Sequence, residues 1–255
     1  MDVSRTLARP DREPVGVNNF PNRLLASVSE EVFEALRPHL KLHEYHQGAV
    51  LAEAGRPIHA AYFPHSGIVS LVVELSVGAM IETAMVGRDG VVNASCALDG
   101  KVSLYKAIVQ MQGLASTIAA ASLADVADRF RDLRSLLVRH EQVLLAEAQQ
   151  SGACHASHLV EARLCRWLLR TRDLAGSDEL SGTHEFLAQK LGVSRRRITM
   201  VAGTLQKAGL IRYQDGHIRI LDVDGLKEGA CECYEAVNAH YELMLQGRSA
   251  RFIIS

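Results

Sequence analysis

At 255 residues with 48% hydrophobic content and a formal net charge of −1, the chain is long enough for a sizeable core and for more than one domain. Its near-neutral charge excludes partner binding by bulk charge alone, and no apolar run reaches the length that spans a bilayer. Five scattered cysteines, Cys96, Cys154, Cys165, Cys231 and Cys233, argue against a secreted disulfide framework and leave reduced thiols as the default.

The first residues, MDVSRTLARPDREPVG, carry charges and prolines where a signal peptide would carry an apolar core. They predict a flexible tail over residues 1–19, a cytoplasmic location and no membrane partner. Over residues 22–40, Leu24, Leu25, Val28, Val32, Phe33, Leu36 and Leu40 keep helical spacing, with Ser27 and Glu30 placed for a capping box between two short helices. From Lys41 to about Ala119, frequent glycines separate short apolar or alternating runs, which read as strands over 50–51, 61–63, 68–74, 80–86 and 107–112. Strands so short and so regularly interrupted predict an antiparallel β-roll of jelly-roll type within residues 20–132, long enough to enclose a ligand-sized interior.

Helical spacing returns at Leu123. Leu133, Leu136, Leu137, His140, Val143, Leu144 and Ala148 then draw an apolar stripe along a long helix over 133–156. Burial inside the chain and burial against a second copy both satisfy such a stripe. The second is favoured, as a dimerisation helix, because a two-fold dimer doubles the contacts that one gene product can make with a partner.

Residues 157–255 form the second domain. A helix over 158–174 places Leu159, Leu164, Trp167 and Leu168 on its core side. Next comes HEFLAQKLGVSRRRITMVAGT, in which Leu187, Ala188, Leu191, Gly192, Val193, Ile198 and Val201 occupy the small, turn and apolar places of a helix-turn-helix. Arg195, Arg196 and Arg197 follow the turn, where a helix entering a phosphate-lined groove needs forked cationic donors. Ile211 and Tyr213, then Ile218 and Ile220, alternate about Asp215-Gly216, a two-residue hairpin signal, and predict a wing. Within residues 184–220, Lys190, Arg195, Arg196, Arg197, Lys207, Arg212 and Arg219 face only Glu185 and Asp215, so the chain's positive charge is gathered here. A last helix over 226–245 carries Ala230, Tyr234, Val237 and Tyr241 on one face.

This order of glycine-punctuated β-roll, long helix and C-terminal winged helix resembles the Crp/Fnr family of bacterial transcription regulators over roughly residues 20–222. The most specific match is GVSRRRITMVAGTLQKAGLI. By that resemblance Ser194, Arg195, Arg196 and Met200 take the places of the phosphate- and base-contacting residues. The family often has an acidic residue at the place of Arg196 and an arginine at that of Met200, so its usual half-site does not carry over. On chemistry alone, Arg195 or Arg196 suits a guanine, Thr199 or Met200 a thymine methyl, and Ser194, Arg197 and Lys207 suit phosphates. Relatives that bind cyclic nucleotides carry a Gly-Glu pair and an Arg-Ser/Thr-Ala segment where this chain has Val91-Val92 and Tyr105-Lys106-Ala107, which disfavours that ligand. The lack of any cysteine before Cys96 removes the family's N-terminal iron–sulfur ligands.

Two constellations point to other chemistry. Cys154, His158 and Cys165 lie along one side of a continuous helix, but three ligands on one helix cannot close a tetrahedron, and on a helix Cys231 and Cys233 aim apart. They are read as small buried residues of a dimer or domain seam, with a redox switch at Cys231 and Cys233 as the lesser alternative. His43, His46, His59 and His65 raise the alternative of a cupin-like metal-binding roll, enzyme or sensor, with a DNA-binding appendage; their spacing does not suit one strand face. The expectation is an α+β protein that is not an enzyme and has no catalytic residues, metal or cofactor. Its partners would be double-stranded DNA, a second copy of itself, an unidentified small-molecule effector unless the roll is only a scaffold, and RNA polymerase if it activates.

Overall fold

The computed structural model describes residues 20–76 and 78–246; the expected N-terminal tail lies outside the described residues. Asn22 caps α1 (Arg23–Ala26) by accepting from the Leu25 N–H at 2.9 Å, and its amide donates to the Pro64 and Gly90 carbonyls, fastening the entry to the roll. Ser29 caps α2 (Glu30–Leu36), ahead of Glu30 and Glu31 in the first turn. The capping box expected at Ser27 is thus corrected. Ser27 closes α1 instead, its hydroxyl donating to the Leu24 carbonyl.

Seven strands follow: β1 (Lys41–Tyr45), β2 (Val50–Ala52), β3 (Ala60–Pro64), β4 (Ile68–Glu74), β5 (Met80–Val86), β6 (Lys106–Met111) and β7 (Gly113–Ala119). They pair antiparallel in two sheets, ordered β1-β7-β3 and β2-β6-β4-β5. The expected strand over 107–112 ends one residue early, and β7, which begins at Gly113, was not expected as a strand. A Cβ on Gly113 would lie 2.3 Å from the Ser66 carbonyl oxygen, so the two backbones cross only because no side chain stands there. Tyr45, Val69, Leu71, Ala84, Val86, Ala107, Val109 and Ala115, from both sheets, form one buried cluster with Val92 inside the roll, whose length allowed a ligand-sized interior.

After α3 (Ala120–Arg129) comes α4 (Arg131–Ser157), the longest helix among the described residues. Its stripe of Leu133, Leu136, Leu137, His140, Val143 and Leu144 is buried within this one chain, against the entry helices, the roll and the C-terminal helix. The dimer seam expected on that face is therefore corrected: intrachain packing has consumed it. His140 accepts the Val91 N–H at its Nε2, and Glu147 accepts the Met85 N–H and the Tyr241 hydroxyl.

The second domain opens with α5 (Val160–Ala175). Leu159, expected in its core, is 73% exposed in the extended joint before the helix, while Leu164, Trp167 and Leu168 are buried as read. The single last helix is also corrected. It is two, α8 (Val223–Gly229) and α9 (Cys233–Gln246), separated where Ala230 turns extended. Val237, Tyr241 and Met244 of α9 pack into the core beside α4.

Candidate nucleic-acid interface

Thr183 caps α6 (His184–Leu191), accepting from the Phe186 N–H at 3.1 Å. Gly192, at φ +61°, turns the chain, a left-handed conformation that a side chain would strain. Ser194 caps α7 (Arg195–Lys207) by accepting from the Arg197 N–H at 3.3 Å. Ile198, Val201, Ala202 and Leu205 face inward. That inward side fixes what faces out. Arg195, Arg196, Thr199, Met200, Gly203, Thr204 and Lys207 line one open concave face, with Met200 61% exposed. Arg197 is exposed but stands beside that face, and Ser194 already spends its oxygen on the helix cap. Among the described residues, the ion pairs leave Arg195, Arg196, Arg197 and Lys207 without a carboxylate partner.

The wing is a three-stranded sheet ordered β8 (Glu179–Ser181), β10 (His217–Ile220), β9 (Ile211–Gln214). Asp215 and Gly216, at φ +50° and +80°, make the two-residue turn read from the sequence, whereas β8 was not expected. Tyr213 joins wing to helices twice. Its ring stacks on His184 at 4.1 Å, and its N–H donates to Gln206 Oε1 at 2.7 Å. His184 Nδ1 lies 3.0 Å from the Thr199 hydroxyl, whose hydrogen is given to the Arg195 carbonyl, so the Thr199 methyl and one oxygen lone pair remain for a ligand. Burial, then the Arg195 charge, holds the His184 pKa below its usual value.

Of the cations counted in this segment, Lys190 is turned away from the basic face and Arg219 has a carboxylate partner. Lys190 is buried, 3.4 Å from Glu82 of β5 and 5.1 Å above the Phe186 ring. Glu82 also accepts from Trp167 Nε1 at 2.9 Å and from the Ser70 hydroxyl. Lys190 therefore ties α6 to the roll. The signal was present, since it sits three residues after Leu187 on the inward side. Arg219 pairs with Glu179 at 3.2 Å within the wing.

In the roll, Val91 and Val92 are fully buried, and Lys106 lies 3.0 Å from Glu74 and 3.4 Å from Glu53. The one cation matching the family's phosphate-binding segment is thus held by two carboxylates. His43, His46 and His59 are exposed and His65 bonds Ser116; these four do not converge on a common point among the described residues. The cupin-like alternative has no support here.

Residues 162–228 match the family described as the Crp-like helix-turn-helix domain, and that segment is such a domain. The transcriptional regulator SdrP of Thermus thermophilus is 36% identical over 98 residues, covering 36% of this chain and 48% of that protein; the matched part spans about half the length of this curated relative. Two solved structures share the fold. FixK2 from Bradyrhizobium japonicum is 15% identical, with a TM-score of 0.65 over 75% of this chain and 98% of its own. A CRP/FNR-family transcriptional regulator from Thermus thermophilus is 24% identical, with a TM-score of 0.59 over 74% and 98%. The family resemblance read from the sequence is borne out: the chain has the Crp-like helix-turn-helix domain on the Crp/Fnr architecture.

Proposed function

We propose that this chain is a sequence-specific, DNA-binding transcription regulator that lays α7 in the major groove. The observation carrying the proposal is the open face of Arg195, Arg196, Thr199, Met200 and Lys207, whose three cations have no carboxylate partner among the described residues. Arg195 and Arg196, near the helix N-terminus, read guanine edges; Met200 and the Thr199 methyl meet thymine methyls; Arg197 and Lys207, with Ser194 at the cap, hold phosphates. The β-roll serves as scaffold or as sensor of an unidentified small molecule, and a cyclic phosphodiester is disfavoured by the pairing of Lys106. RNA polymerase is the further partner where the protein activates.

The working unit is a homodimer. On α4, Val138, Gln142, Leu145, Gln149, Gly152 and Ala156 are exposed and recur at alternating four- and three-residue steps, opposite the buried stripe. That spacing keeps one face toward a second helix of the same kind over several turns. A second copy seated there would present two α7 helices to half-sites about 34–36 Å apart. Selection of sites from random double-stranded DNA by the full chain tests the reading. A two-fold motif with that spacing is the expected outcome, and a pool with no enriched motif overturns it.

A further inference from the structure

Cys154 and His158, which sequence spacing put on one side of a helix, meet Cys231 and Cys233 at the joint between α4 and α5. Cys154 and His158 lie one helical turn apart at the end of α4. Cys231 lies in the break between α8 and α9, and Cys233 is the first residue of α9, with Glu232 between them. Because the chain is not helical before Cys233, the two sulfurs aim the same way and not apart as a helix would send them. The three sulfurs and one His158 ring nitrogen all lie within 4.8 Å of one another. Cys154 Sγ is 3.5 Å from Cys231 Sγ, and Cys233 Sγ is 3.6 Å from His158 Nδ1. A tetrahedral ion with its usual bond lengths to sulfur and imidazole nitrogen needs separations of about 3.8 Å and about 3.6 Å for those pairs.

The surroundings are those of a ligand set as well. His158 Nε2 lies 3.2 Å from Glu232 Oε1, the carboxylate–imidazole pairing that leaves Nδ1 as the free donor atom. Gln150 donates its amide to Cys233 Sγ at 3.0 Å. Cys154, Cys231 and Cys233 are buried while His158 is partly open, so an ion has a way in. We propose that Cys154, His158, Cys231 and Cys233 bind a single divalent ion of the thiolate-preferring, tetrahedral kind, zinc foremost, and that it pins the α4–α5 joint to the α8–α9 break. Loading sends three thiol protons to solvent and leaves the site with one net negative charge. The ligand atoms are too closely gathered for an iron–sulfur cluster, whose cysteines must stand around several metal and sulfide atoms. One turn into α5, Arg163 donates to the Leu191 carbonyl beside the helix-turn-helix corner, so the pinned joint adjoins the DNA-reading unit.

The test uses the reduced, chelator-stripped full chain titrated with Co²⁺. Uptake of one equivalent with the intense visible bands of tetrahedral cobalt and a thiolate charge-transfer band, both lost on adding Zn²⁺, is the expected result. Cys231→Ser and Cys233→Ser should each weaken uptake at least tenfold, whereas Cys165→Ser and Cys96→Ser should leave it unchanged. Should the serine variants fail to fold, alkylation of the unaltered protein decides the matter. Zinc should slow modification of Cys154, Cys231 and Cys233 at least tenfold, reversibly with chelator, and should not slow that of Cys96 or Cys165. A titration without tetrahedral bands, uptake that survives in the Cys231→Ser and Cys233→Ser variants, or a Cys154–Cys231 disulfide in place of zinc-protected thiols would each overturn the proposal.

Discussion

Replacing Arg170 by methionine probes the seam between the β-roll and the DNA-binding half. Arg170 of α5 lies 2.8 Å from Asp89 in the loop after β5, and both side chains are nearly closed to solvent, at 7% and 5% exposure. Its guanidinium carbon is 4.3 Å from the Tyr241 ring centre, and the Tyr241 hydroxyl donates to Glu147 at 2.9 Å. Burial opposes the charge on Arg170, but Asp89 and Glu147 outweigh it and raise the pKa above the ordinary arginine value. Arg170→Met keeps the apolar stem and removes the charge, which leaves Asp89 buried without a cation. That loss costs about 3–5 kcal/mol. For a chain of this size each kcal/mol moves the melting midpoint by about 2–4 °C, so the variant should melt roughly 6–20 °C lower. Trp167, the chain's one tryptophan, sits at the same seam on Glu82, and its fluorescence reports this unfolding step directly in a urea or thermal series. Adding Asp89→Leu should restore most of the stability, because removing both charges leaves neither stranded. A loss under about 1 kcal/mol in the single variant, or a double variant as unstable as the single, would refute the argument.

On the DNA face, Arg195→Ala and Arg196→Ala should each cost about 1–3 kcal/mol on the selected site and far less on random DNA. Lys207→Ala should weaken both alike and flatten the salt dependence by about one charge. Anisotropy titrations at several salt concentrations measure all three, and equal losses on both DNAs for every variant would contradict these roles. Leu145→Glu places a charge on the 59% exposed leucine of the α4 outer face and should give monomers by sedimentation with weaker DNA binding; an unchanged dimer refutes that seam. Burial holds His140 down to about 4, below the ordinary value near 6.5. The unfolded chain therefore takes up a proton that the native one refuses as pH falls from about 6.5 toward 4. The stability is whole above that window and is lost on descending through it, on the order of 3 kcal/mol. Glu147, raised by burial, acts with the opposite sign above the ordinary carboxylate range, so the measure is wild type against His140→Gln at pH 7 and pH 5. A variant as acid-sensitive as the wild type would rule His140 out.

The winged helix was legible because its signals are local. Helical periods end at Gly192, and Asp215-Gly216 can adopt the positive φ its turn demands. The face of α4 was not, since the stripe from Leu133 to Leu144 is equally satisfied by a second copy and by the chain's own roll. Only exposure separates the two, and exposure is tertiary. β1 escaped notice because its first four residues are exposed and give no inward period. Lys190 misled because a charge was counted before its neighbours were known; Glu82, more than a hundred residues earlier, decides its direction. The thiols at Cys231 and Cys233 were placed apart by assuming one continuous helix, and the break after Gly229 reverses that geometry.

The polar groups at the seam bear on how any message from the roll could reach α7. Glu82 binds Ser70 and Trp167 and meets Lys190, while Asp89 binds Arg170, so two buried ion pairs join the sheet to α5 and α6. An apolar seam would let the winged helix slide by small steps, trading one contact for another. Buried charges resist sliding, because each carboxylate loses its partner before it gains water. Reorienting α7 relative to the roll therefore requires both pairs to part, which favours two discrete arrangements over a continuous slide. An effector that strained β5, which carries Glu82 and runs into the loop holding Asp89, would act on both pairs at once.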